Sequence, residues 1–542
     1  MLRSPLLRSL IATTACFAPM SSGLAQLPPV PQPPGNPTTP DKVNLGKALF
    51  WDEQMSSTGT VACGTCHRPD AGGTDPRAPF SVNPGPDGLL DTEDDIHASP
   101  GVPFHVADGT YQPHAVFGFD VQVTGRTAPS MINAAFNPEQ FWDGRAGSEF
   151  KDPLTGAVVL PDFGSLESQA SGPPLSDVEM ANVGRGWQDV ADRIAASQPL
   201  ALATDIPPAL ATWLGTNAYP QLFQRVFGDN QVTPARIVMA IAAYERTLIS
   251  DETPFDLGML TSQQQVGLDI FNEKGPGGGR CTFCHENTTF RDFAYHNTGL
   301  RPIAEDTGRF DETGNPFDRG AFKTPGIRNS SLRKVFMHNG QFTSLAEVIE
   351  FYDRGGDFTE NLDPSMQVLS LSVPQKVAML DFLENGLTDP RVVLKLPPFD
   401  RPTLFSETLR EPQMYGFGLA GSGGVEPRLF SVEPPLLGNQ NLTVTVHDGL
   451  GGAFAVLAAD QAQFGPPFLG VPMMIRGTPA TQFLPLGSLQ GSGDGQGYWS
   501  GALRMPRAPA LAGTTLYLQA FVLDAGAAQG LAGTGGLSVT LF

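Results

Sequence analysis

Apolar positions recur at helical spacing in several stretches of this chain. Ile237, Ile241, Tyr244 and Leu248 fall on one face of a 3.6-residue repeat. Thr233 and Pro234 stand just before them, a hydroxyl suited to the N-cap and a proline suited to the first helical position. A second helix is predicted over residues 344–352. There Ser344 and Glu347 have capping-box spacing, and Leu345, Val348, Ile349 and Tyr352 make one stripe. Val377, Leu380 and Leu383 predict a further helix that closes near Thr388. Two shorter pieces repeat one another: Gly46-Lys-Ala-Leu49-Phe50 and Gly267-Leu-Asp-Ile270-Phe271. Each reads as the end of a short helix, and the pair as an internal repeat.

Beyond about residue 400 the period changes. Leu442-Thr-Val-Thr-Val446, Thr515-Leu-Tyr-Leu-Gln519 and Leu537-Ser-Val-Thr-Leu541 are alternating or β-branched runs, and they predict strands of a small sandwich. No lysine follows Lys395, and His447 is the only histidine there. No metal or catalytic cluster stands out in this region.

Composition adds punctuation to the pattern. The 542 residues include 61 Gly and 50 Pro, so much of the chain is expected in loops and turns. A long insertion, residues 68–125, is rich in Gly, Pro and Asp. Its run Asp87-Gly-Leu-Leu-Asp91-Thr-Glu93-Asp94-Asp95 lacks EF-hand spacing and reads as a solvated acidic turn. The net charge of -21 argues against nucleic acid and anionic membranes as partners and favours a basic one.

The first 25 residues read as a secretory signal, with Arg3 and Arg8 ahead of the apolar stretch Leu6 to Ala18 and a small-residue end at Gly23-Leu24-Ala25. Export through it predicts a periplasmic protein. Cys16 lies inside this segment; Thr13, three places earlier, disfavours a lipoprotein reading. No later apolar run is long enough to span a bilayer. Residues 26–40 form a Pro-rich tail.

Two motifs carry the chemistry: Cys63-Gly-Thr-Cys66-His67 and Cys281-Thr-Phe-Cys284-His285. Each is C-x-x-C-H, the attachment signature of a c-type haem. Two cysteines three apart can each form a thioether, and the next histidine reaches the iron. These motifs use every cysteine after the signal. Zinc half-sites or a redox C-x-x-C are the alternatives, but zinc spacing pairs cysteines differently. The expected fold is mainly α: two cytochrome c-like haem domains, residues 41–250 and 251–398, with an appended all-β, sandwich-like domain over residues 402–542.

From about residue 41 to 395 the chain resembles the bacterial di-haem cytochrome c peroxidase family, including its MauG branch. Besides the haem motifs, the resemblance rests on Phe141-Trp142-Asp143-Gly144-Arg145, Phe322-Lys-Thr-Pro325-Gly-Ile-Arg328-Asn329 and Met337-His338-Asn-Gly340. It implies an open haem on His67 that meets hydrogen peroxide and a relay haem on His285. Trp142 would lie between them. Gln169 and Glu179 match the distal polar pair, Gln169 orienting the peroxide and Glu179 moving its proton. The family also implies a calcium between the haem domains, at Thr127, Arg333 and Val335; peroxidase members have asparagine where Thr127 stands.

Two departures shape the expected activity. Peroxidase members carry a ligating histidine in the loop after the first motif, yet residues 68–83 contain none. The first histidines to follow are His97, His105 and His114, all in the insertion. The His67 haem is therefore expected to be permanently open, or blocked by the insertion in another way. At the relay haem, Tyr352 stands where peroxidase members have a methionine, as in the MauG branch; Met337 is the competing ligand. A phenolate stabilises high iron oxidation states, whereas a thioether raises the potential.

The leading expectation is a periplasmic di-haem peroxidase-type enzyme, fed by a small donor protein such as a cytochrome c or cupredoxin. A MauG-like oxidase acting on a protein or other bulky substrate is the second. A non-enzymatic electron carrier with a binding domain is the third. A homodimer is among the expected assemblies.

Overall fold

The computed structural model describes residues 27–542. The signal segment 1–25 and Cys16 lie outside the described residues. Among those described, no helix is long and apolar enough to cross a membrane.

The internal repeat appears as two helix crossings of the same design. The Pro40–Phe50 helix packs across Pro234–Glu245, and a Cβ at Gly46 would collide with the Ala240 carbonyl oxygen and crowd Tyr244. The Ser262–Asn272 helix packs across Val373–Asp381, and a Cβ at Gly267 would collide with the Ala378 carbonyl oxygen and crowd Phe382. Glycine is needed at both points because only a bare Cα lets two backbones approach so closely. Each crossing anchors its own apolar core. The first gathers Leu45, Leu49, Trp51, Ile237, Ile241 and Leu248. The second gathers Leu268, Phe271, Phe290, Ile349 and Phe382.

The caps form as their residues dictate. Thr233 accepts from the Arg236 N–H at 3.4 Å, and Ser344 with Glu347 closes a capping box on Leu345–Asp353. Of the three residues expected to mark the Val373–Asp381 helix, Leu383 joins the core and Leu380 packs against it, whereas Val377 is 54% exposed and the buried Ala378 and Met379 take the contact with the Ser262–Asn272 helix beside Gly267. A π-turn over Phe382–Gly386 then carries the helix on towards Leu387.

Helix accounts for only 26% of the described residues, so the expected mainly α character is weak. Long irregular segments rich in Gly and Pro run between the helices, and two-residue strand pairs stitch them. One such pair is Val82–Asn83 with Ile96–His97.

The C-terminal region is β-rich, as its alternation predicts. One antiparallel sheet has three strands: Arg428–Phe430, Leu442–Gly449 and Gly497–Leu503. The second has six, ordered Gln482–Ser488, Phe454–Asp460, Thr515–Leu523, Gly536–Thr540 and Gln413–Tyr415, with Leu531–Gly533 added on Thr515–Leu523. Leu429, Val444 and Val446 of one sheet share a core with Leu457, Leu518, Val522 and Leu537 of the other. The connection before these sheets docks on the first haem-motif unit. Phe399 and Leu404 enter its core, and Glu53 accepts the Phe405 and Ser406 N–H groups at 2.6 and 3.0 Å.

Candidate active site

Both C-x-x-C-H motifs open onto cavities. Cys63–Cys66 is a single helical turn with His67 at its C-terminal end. Gly64 lies flat on the Trp51 ring, where any Cβ would clash. The His67 Nδ1 faces the Gly73 carbonyl oxygen at 3.4 Å; the His285 Nδ1 meets the Phe290 carbonyl oxygen at 2.9 Å. A carbonyl at Nδ1 fixes the proton there and leaves Nε2 as the free donor to a metal. Burial pushes the pKa of both imidazoles down, which favours the neutral, ligating form. None of the four motif cysteines is in a disulfide. Cysteine pairs, oriented histidines and a cavity at each motif fit two haems, which these cysteines and histidines would hold.

The cavity at His67, about 610 Å³, is lined by Cys63, Cys66, Trp142, Gln169, Glu179 and Arg145. Gln169 comes from the short helix Ser165–Ala170, and Glu179 from the turn that follows it. Burial raises the Glu179 pKa, opposed by the Ser176 side chain and by the nearby Arg145 charge. The insertion braces this turn from behind. The Val102 N–H donates to the Val178 carbonyl at 3.1 Å, and Gln122 donates to the Asp177 carbonyl at 2.7 Å. Gly101 touches the Val178 carbonyl so closely that a Cβ would displace it.

The cavity at His285, about 210 Å³, is lined by Cys281, Cys284, Phe322, Met337, His338 and Tyr352, among others. Trp142 and Thr127 line both cavities. The Trp142 indole N–H donates to the Thr127 carbonyl at 2.8 Å, and the Lys323 N–H donates to the Trp142 carbonyl at 2.8 Å. Asp143 holds the turn on either side through Arg126 at 2.6 Å and Arg145 at 2.9 Å. The His338 ring stacks on Phe322 at 3.6 Å, and burial drops its pKa to about 4, so it is neutral. Trp142 and His338 meet edge-on at 6.3 Å.

Tyr352 and Met337 both reach the His285 cavity. The Tyr352 hydroxyl has no hydrogen-bond partner among the described residues, and burial raises its pKa. Met337 sits at φ 69°, a backbone strained for a side chain, and its carbonyl accepts the Thr127 hydroxyl at 2.9 Å. Thr127, Arg333 and Val335 share that wall, but the threonine hydroxyl is already engaged by the Met337 carbonyl.

The insertion histidines part company. His105 spends both nitrogens, on the Pro103 carbonyl and the Ser57 hydroxyl, each at 2.8 Å. His97 packs on the Asn339-Gly340 turn through its backbone. His114 lines the His67 cavity. The acidic run folds onto its own backbone, with Asp94 accepting the Asp87 N–H at 3.0 Å and Asp95 the Asp91 N–H at 2.8 Å. It brings no three metal-ligating groups together among the described residues.

Several site residues escaped the sequence reading. Arg145 was visible inside its motif, but its place beside Glu179 was not. Lys323, likewise inside a motif, is buried deeply enough that its ammonium pKa drops to about 7, and it donates to the Glu139 carbonyl at 2.7 Å. His296 is held between Asp292 at 2.8 Å and Asp363 at 2.7 Å. The bond to Asp292, and after it one to Cys284, lifts its pKa to about 11. Its partner Asp363 lies 67 residues on, beyond any local signal.

These features define a protein with two candidate haem sites, one at each C-x-x-C-H motif, that share the Trp142 wall. Comparison with known proteins agrees. Residues 40–265 match the family described as di-haem cytochrome c peroxidase. The methylamine utilization protein MauG of Methylorubrum extorquens is 29% identical over 67% of this chain and 83% of its own length. The cytochrome c551 peroxidase of Nitrosomonas europaea is 29% identical over 63% of this chain and 81% of its own. Residues 40–265 thus carry the likeness to the di-haem cytochrome c peroxidase family, and the relatives that extend it over about two thirds of the chain are MauG proteins and cytochrome c peroxidases. Among solved structures, a MauG-like protein associated with microbial copper homeostasis is similar at 24% identity, with a TM-score of 0.48, over 71% of this chain and 99% of that one.

Proposed function

We propose that this chain is a peroxidase-like di-haem oxidoreductase that reduces hydrogen peroxide at the His67 site with electrons relayed from the His285 site. The observation that carries the reading is that Gln169, Glu179 and Trp142 line one cavity with His67, while Trp142 also lines the other. Cys63, Cys66 and His67 would hold one haem, and Cys281, Cys284 and His285 the other. The haem iron supplies a peroxide-binding position and a reservoir of electrons. Glu179 takes a proton from one peroxide oxygen and returns it to the departing one, and the raised pKa suits it to both tasks. Gln169 orients the peroxide by hydrogen bonding. Trp142, pinned at both its indole and its carbonyl, provides an aromatic step of low ionisation energy between the two sites.

The net charge of -21 favours a small basic donor, a cytochrome c or cupredoxin, and the signal-like start favours the periplasm. A calcium would rest on the Thr127 hydroxyl and the Arg333 and Val335 carbonyls. The Thr127 hydroxyl, already engaged by the Met337 carbonyl, makes a poor ligand for it.

The deciding experiment is stopped-flow mixing of the purified holoprotein with hydrogen peroxide, followed by a reduced donor protein. Rapid reaction and donor turnover support the peroxidase reading. No reaction in any redox state overturns it. A second reading, oxidation of a bulky or protein substrate as in the MauG branch, is favoured by the unpartnered Tyr352 hydroxyl facing the His285 cavity. A long-lived state with both centres oxidised and no donor turnover would select it.

A further inference from the structure

The insertion and the C-terminal sheets meet at a buried clamp. The Tyr111 hydroxyl donates to Glu433 at 2.6 Å, its N–H donates to the Ser500 hydroxyl at 2.8 Å, and the Thr443 hydroxyl donates to the Gly109 carbonyl at 3.0 Å. Phe119 packs on His447 at 4.9 Å and on Tyr498 at 5.3 Å. Tyr111 is 1% exposed and Glu433 is 7% exposed, so this is a packed joint rather than a surface touch. Between Tyr111 and Phe119 the chain turns back on itself through paired bonds between His114 and Gly118, at 2.7 and 2.9 Å. The tip of that hairpin reaches the His67 cavity with His114 and Phe117.

The hairpin itself selects the tautomer of the neutral His114 ring. Its Nδ1 lies 3.1 Å from the Val116 N and 3.3 Å from the Phe117 N, and both are N–H donors. An atom that accepts two N–H bonds carries no proton, so the neutral ring bears its hydrogen on Nε2. Phe117 stacks on the ring at 5.3 Å and Phe104 flanks it at 5.6 Å, which fixes its plane. Nε2 has no hydrogen-bond partner among the described residues. In this tautomer Nε2 has no lone pair for iron and can only donate.

From this we infer that His114 is a distal hydrogen-bond donor at the His67 haem, held in place by the C-terminal sheets. The appended β domain acts as the bracket that fixes the donor. The inference rests on the proposed reading that the His67 haem is the open one.

The test uses the ferric holoprotein and fluoride, an anion whose affinity for ferric haem depends on a distal N–H donor. Fluoride is titrated by absorbance at pH 7 against the parent, His114→Phe, His114→Gln and Phe119→Ala, with low-temperature electron paramagnetic resonance on each. Arg145 and Gln169 stay in place, so some affinity remains in every variant. His114→Phe is expected to weaken fluoride about tenfold. His114→Gln, which keeps an N–H, is expected to recover most of that loss. Phe119→Ala, which loosens the clamp and leaves His114 intact, is expected to weaken fluoride several-fold.

Equal fluoride affinity in the parent and His114→Phe overturns the inference and leaves the open-haem reading standing. A parent that binds no fluoride removes both. A low-spin parent signal that becomes high-spin in His114→Phe overturns the inference differently, by making His114 an iron ligand.

Discussion

The indole nitrogen of Trp142 donates to the carbonyl oxygen of Thr127 at 2.8 Å, and both residues line both cavities. The bond locks the ring in the partition between the two sites. In the proposed relay, an electron passing between the sites would meet an aromatic held in place by this bond.

Trp142→Phe keeps the bulk but loses the N–H bond and raises the ionisation energy of the ring. Both haems are expected to attach normally. Electron transfer between the two sites should slow by at least about tenfold, about 1.4 kcal/mol in barrier. Stopped-flow spectra of the half-reduced protein read this directly, and a parent-like rate removes Trp142 from the route.

Glu179→Gln removes the proton acceptor while preserving size. Peroxide cleavage is expected to fall by about 10²- to 10⁴-fold, the usual worth of a general acid–base group. Burial raises the Glu179 pKa, so in the parent the proton-accepting carboxylate is lost as pH falls through a value above the ordinary carboxylate range. The acid limb of the parent's pH–rate profile should therefore vanish in the variant. A variant that keeps that limb assigns it to another group.

Glu245 tests a linkage with the opposite consequence. It is 5% exposed, one of its carboxylate oxygens has no partner, and burial pushes its pKa up to about 8. Between the ordinary carboxylate value and about 8 the folded protein holds a proton that the unfolded chain has released. Folding stability therefore falls as pH rises across that window and levels off above it. Glu245→Gln is expected to flatten this limb in melting curves taken from pH 5 to 8. Glu53, raised to about 8 by its own burial, leaves part of the slope.

Gly46→Ala and Gly267→Ala each place a methyl group against a backbone carbonyl of the crossing helix. Each is expected to cost about 1–3 kcal/mol in urea unfolding, the usual range for overpacking. The two losses should be nearly additive, because the crossings anchor separate cores. Strong coupling between them would show that the two cores do not unfold independently.

Tyr352→Met replaces a hard phenolic oxygen with a thioether. The potential of the His285 haem is expected to rise by on the order of 100 mV or more, within the span that axial ligands command. Spectroelectrochemistry measures it, with Met337→Leu as the control. A shift in the control and none in Tyr352→Met would make Met337 the ligand.

Much of the site was legible in the sequence, because its chemistry is local. Thioether attachment needs two cysteines and a histidine within five residues, and both motifs could be read unaided. The caps at Thr233 and Ser344 involve neighbours three residues away, and they form as their residue types dictate. The glycine repeat marked both helix crossings, although only the structure shows the carbonyls that require it. The weak helical content was foreshadowed by the Gly and Pro counts, which the fold-class expectation underweighted.

Tertiary structure decided everything that depends on which way a side chain faces in an aperiodic segment. Val377 had the helical spacing of a core residue, yet it is 54% exposed while Leu383 joins the core. His97, His105 and His114 are indistinguishable as letters in a loop, and contacts with Asn339, Ser57 and the hairpin tip send them to three different places. The C-terminal strands were readable from alternation, but their grip on the insertion was not, since Tyr111 and Glu433 lie 322 residues apart. Covalent and capping chemistry acts within a few residues and survives in the sequence. Burial and facing are set by long-range packing, which exists only once the chain has folded.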